Sequence, residues 1–97
     1  MLIKAGVDIS RLNRKIRRAL SAAEAAYSED SELFVVTSTY ESNHGAGSLH
    51  YGNDAFDCNL PVKNPTNVVK DIKSRLGLNY DVVLEYNHIH IEYDPKT

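Results

Sequence analysis

The segment His88-Ile89-His90-Ile91-Glu92-Tyr93 alternates strictly between polar and apolar side chains. That is the period of a β-strand, and it constrains the fold more than any other stretch of the chain. As a strand it places His88, His90 and Glu92 on one face and Ile89, Ile91 and Tyr93 on the other. A fold must bury the second face and leave two imidazoles and a carboxylate together on the first. Asp81 to Glu85 reads as the hairpin partner, with Tyr86-Asn87 as a two-residue turn, since Asn tolerates positive φ; one continuous strand is the alternative.

Upstream, Ile9, Leu12, Ile16, Leu20, Ala23 and Tyr27 recur every three or four residues and predict a helix capped by Asp8 or Ser10. Leu33 to Thr37 is rich in β-branched and aromatic types and predicts a buried strand. Ser38 to Gly47 lacks periodicity and is expected to be a long loop over the site. Ala55 to Leu60 predicts another strand. Asn64 then caps a second helix with Pro65 at its first position, an apolar stripe of Val68, Val69, Ile72 and Leu76, and Gly77 just beyond its end. These elements imply a single α+β domain over residues 1–97, with two helices on one face of a small, mainly antiparallel sheet of about four strands.

A chain of 97 residues, 42% apolar and 25% charged, has the composition of a globular domain rather than a disordered segment. Its formal charge of −2 offers no global attraction to nucleic acid or anionic lipid. The local exception, Arg11, Arg14, Lys15, Arg17 and Arg18, reads as a solvated helix face. One cysteine, Cys58, excludes an internal disulfide and a thiolate cage, and its setting is that of a small buried hydrophobe. There is no run long enough to span a bilayer and no signal-peptide core, so the expected location is cytoplasmic as synthesised, with possible later release to the cell wall. No membrane partner is expected, and a monomer is favoured.

The chemistry-bearing residues gather in two stretches, Ser48 to Asp57 and Glu85 to His90. A catalytic zinc site needs about three nitrogen or oxygen ligands and one open position. His50, Asp57 and His90 can supply that set, with His50 and Asp57 joined across a glycine-containing bend. Taken singly, each is more often an ordinary hydrogen-bonded residue. His44 reads as an exposed loop histidine, with contact to substrate or a second metal as the alternative, and Tyr40, Tyr51, Tyr86 and Tyr93 read as packing, with lining of the cleft as the alternative.

Ser48-Leu49-His50 followed by Ala55-Phe56-Asp57 resembles the SxHxxGxAxD signature of the zinc D-Ala-D-Ala peptidases, which share their fold with the hedgehog signalling domain. His88-Ile89-His90 is similar to the closing HxH of that family. The resemblance spans roughly residues 8 to 94. It implies that His50, Asp57 and His90 bind Zn2+, that Glu85 and His88 assist the attacking water and the oxyanion, and that Ser48 supports a ligand or the bend. It also implies a peptidoglycan peptide as substrate. Two positions depart from the pattern. Asn53 stands where a glycine is usual, and Asn is the next-best residue for a left-handed backbone. Glu41 stands where an Arg is usual in a segment resembling SxYRS, and a carboxylate there would repel a free C-terminus. That favours an endopeptidase acting within stem or cross-bridge peptides over a strict carboxypeptidase. A small catalytic domain of this kind suits a phage or prophage lytic enzyme.

Two rivals follow from the same residues. A zinc-binding interaction module of the same fold, with weak or no catalysis, is consistent with Glu41 but leaves Glu85 and His88 without a reason. A nucleic-acid binder using the Arg-rich helix lacks a stacking-aromatic motif.

Overall fold

The computed structural model describes residues 1–39 and 53–95. The elements run β1 (Leu2–Ile3), α1 (Arg14–Glu29), β2 (Val35–Ser38), β3 (Ala55–Asn59), α2 (Pro65–Leu76), β4 (Tyr80–Leu84) and β5 (His88–Tyr93). The class is α+β, as the sequence implies, but the sheet has five strands in the order β1-β2-β3-β5-β4 and is mixed. The strand missing from the expected four is β1, which pairs parallel with β2 while the other pairs are antiparallel. Its two residues are both exposed, so it carries no hydrophobic period that could have announced it.

Helix α1 starts later than expected. The Asp8 carboxylate accepts from the Ser10 amide at 2.8 Å, a local turn that competes with helix. Arg17 then folds back onto this segment, donating to the carbonyls of Leu12 at 2.9 Å and Ser10 at 2.7 Å. Asn13 takes the N-cap position with extended backbone, and its side-chain amide donates to Asp54 at 2.6 Å instead of receiving a helix N–H. Ile16, Ala19, Leu20, Ala23, Ala26 and Tyr27 are nonetheless buried as one stripe, and Leu12 reaches the same core from outside the helix. The basic residues 11, 14, 15, 17 and 18 are exposed.

Helix α2 follows its sequence signals closely. The Asn64 side chain accepts from the Asn67 amide at 3.3 Å, Pro65 opens the helix, and Gly77 closes it with φ of 85°. Val68, Val69, Ile72 and Leu76 are buried.

Both helices cover one face of the sheet. Phe56, Cys58, Ile89 and Ile91 point to them and are fully buried. At the end of β3 the Tyr27 hydroxyl donates to the Asn59 carbonyl, while the Asn59 side chain accepts from the Val35 amide and donates to the Leu33 carbonyl, both at 2.8 Å. Cys58 is the buried small hydrophobe its setting predicted, and burial pushes its thiol up to about 12. Asn53 has φ of 61°, a left-handed backbone that Asn tolerates better than other non-glycine residues.

The β4–β5 connection is a hairpin. The Glu85 amide donates to the His88 carbonyl at 2.9 Å, which leaves Tyr86-Asn87 as the two residues of the turn.

Candidate metal centre

The pleat of β3 and β5 builds the site on the sheet face away from the helices. In their antiparallel register Asp57 lies directly opposite His90, and Asn59 opposite His88. Phe56, Cys58, Ile89 and Ile91 anchor the alternate positions in the core, so Asp57, His88, His90 and Glu92 must turn outward. Each is partly buried: side-chain exposure is 13% for Asp57, 20% for His90 and 23% for Glu92, against 32% for His88.

His90 is held at both ring nitrogens. Nδ1 lies 2.8 Å from the Asp57 carboxylate and Nε2 lies 2.7 Å from the Glu92 carboxylate. A neutral imidazole has only one N–H, so carboxylates on both nitrogens ask for a second proton, making imidazolium, or for an ion in its place. Burial alone pulls the His90 pKa down, but the hydrogen bonds and charges of Asp57 and Glu92 outweigh it, and the net shift is upward. His88 Nε2 is 3.9 Å from the same Asp57 oxygen, and its Nδ1 is 2.6 Å from the Asn87 side chain.

Asp57 and His90 offer an oxygen and a nitrogen donor of the types zinc takes, two of the three ligands expected. Their donor atoms lie 2.8 Å apart, hydrogen-bonded to each other, and would hold an ion only in place of the proton they share. Glu92 on Nε2 supplies the carboxylate that commonly orients a metal-binding imidazole. The third expected ligand, His50, lies outside the described residues, as do Ser48, Glu41 and His44.

Of the expected residues, the sheet thus brings Asp57 and His90 into contact and His88 next to them. Glu85 sits at the start of the turn, exposed, and the pleat puts it on the same face as His88. Glu92 had no role assigned from sequence, although the alternation placed it on the histidine face. A second acidic group, Asp81, Glu92 and Asp94, has ligand atoms within 4.8 Å of one another. Exposed acidic groups of that kind are common without an ion.

Comparison of the chain with protein-family models, with curated proteins and with solved structures found no match.

Proposed function

We propose that the chain is a zinc-dependent peptidase of the hedgehog/D-Ala-D-Ala peptidase fold, acting on peptidoglycan stem or cross-bridge peptides. The observation that supports it most is the His90 imidazole held between Asp57 and Glu92, a polar arrangement on an otherwise regular sheet whose apolar alternates need no such pairing. Asp57 and His90, with His50, would hold the ion. The chemistry supplied by zinc there is polarisation of the scissile carbonyl and acidification of water. Glu92 holds the His90 ring in one orientation. Glu85, on the same sheet face as His88, would take the proton of the attacking water and return it to the leaving amine. His88 donates a hydrogen bond to the developing oxyanion.

The test is zinc content of the purified protein, paired with release of new amines from purified peptidoglycan with and without a chelator. One zinc per chain with chelator-sensitive release is expected. Zinc without release from several wall types would turn the assignment to the interaction module, and no zinc would refute it.

A further inference from the structure

We propose that the outer edge of β4 is a docking site for an extended peptide in which basic and apolar side chains alternate. Strand β4 ends the sheet, paired with β5 on one side only. The bonds from Asp94 to the Asn79 carbonyl, at 2.7 Å, and from Glu85 to the His88 carbonyl, at 2.9 Å, set which β4 residues face β5. By the alternation of an antiparallel ladder, Asn79, Asp81, Val83 and Glu85 bond inward, and Tyr80, Val82 and Leu84 direct their N–H and C=O groups outward. Among the described residues those outward groups meet no backbone partner. The opposite edge, β1, is only two residues long and offers no comparable template.

A groove of about 500 Å³ runs along this edge, lined by Lys73, Gly77 and Leu78 on the helix side and by Asp81, Val83 and Glu92 on the other. Leu78 is 87% exposed, and Val83 and Leu84 are 42% and 39% exposed. An added strand places alternate side chains on the two faces. On the helix side they would cover Leu78 and the chain at Gly77, which suits apolar residues. On the other face they would lie beside Asp81, which is grouped with Glu92 and Asp94, and that suits a cation.

The same charge argues against a second copy of the chain. Two β4 edges paired antiparallel bring two such acidic groups to neighbouring diagonal positions, where like charges repel. The edge and groove exist whether or not Asp57 and His90 take a metal, so the inference does not rest on the peptidase assignment.

The experiment uses the full chain with a chelator present, a blocked peptide of alternating Lys and Val, and a matched peptide of alternating Glu and Val. Amide hydrogen exchange is followed residue by residue. At saturation the Lys peptide should slow exchange at Val82 and Leu84 by about tenfold or more, since only a new strand protects those groups. Asp81→Asn should weaken it about two- to fivefold, the effect of one partly exposed charge pair. Leu84→Pro removes an outward N–H that the β5 ladder does not use and should weaken binding further. If that variant does not melt like the parent, N-methylation of alternate peptide amides makes the same test from the other side. Unchanged exchange at Val82 and Leu84 overturns the proposal. So does equal affinity for the Glu peptide, or protection that rises with protein concentration alone, which would make the occupant a second copy.

Discussion

Replacing Tyr27 by Phe tests how the core fixes the strand that carries Asp57. Tyr27 is fully buried, its ring centroid 5.0 Å from that of Phe34 and its hydroxyl donating to the Asn59 carbonyl with Cys58 Sγ 3.4 Å away. Burial raises the Tyr27 pKa far above the ordinary range, so the hydroxyl is a neutral donor at every working pH. Tyr27→Phe keeps the ring and its packing and removes only the oxygen. The loss is one hydrogen bond to a part-buried acceptor that is left without it, about 1–3 kcal/mol. For a domain of this size each kcal/mol lowers Tm by about 4–8 °C, so a central loss of about 2 kcal/mol predicts a fall of roughly 8–16 °C. Urea titration should show a lower midpoint with an unchanged slope, because the exposed surface is the same. A change of less than about 0.5 kcal/mol would show that the hydroxyl does not satisfy the end of β3, and that the Asn59 side-chain bonds to Val35 and Leu33 hold it alone.

Three other perturbations test the roles proposed for Glu92 and Glu85 and the acid limb of stability. Glu92→Gln should leave the fold intact and weaken zinc binding about 10- to 100-fold in competition with a chromogenic chelator, the usual cost of losing a carboxylate behind a metal-binding imidazole; unchanged affinity would remove Glu92 from the site. Glu85→Ala should retain stoichiometric zinc by elemental analysis and lose amine release by about 100-fold or more; loss of the metal would instead make Glu85 a ligand. Glu32 tests the acid limb of stability: the backbone N–H groups of Lys63 and Val62, at 2.8 and 3.1 Å, hold its carboxyl below the usual glutamate range. A lowered folded-state pKa gives stability that is present above the unfolded value and lost as pH falls through the folded one. Urea midpoints of parent and Glu32→Gln should therefore differ at neutral pH and converge as pH falls through the lowered folded-state value; a difference that persists in strong acid would mean that the amide change, not the charge, is responsible.

Where a segment announces its structure locally, the sequence was sufficient. In β5 the alternation required Ile89 and Ile91 to be buried together and His88, His90 and Glu92 to share the other face, and they do. In α2 the Asn64 cap, Pro65 and Gly77 are signals that act within a turn of where they stand. Where a distant partner decides, sequence fell short. The start of α1 moved because the Asp8 turn and the Arg17 side chain take over groups that a longer helix would have used. Asn13, which carries no cap bond, is committed to Asp54, forty-one positions away.

The two-sided alternation, the helix stripes and the α+β class are properties of residue order, since a pleat of period two and a turn of 3.6 residues act on neighbours. The five-strand order, the parallel β1 and the pairing of Asp57 with His90 belong to tertiary structure. Nothing local sets the register of β3 on β5. It is set by Phe56, Cys58, Ile89 and Ile91 sharing one core, and a slip of one residue would carry Asp57 into that core and away from the imidazole.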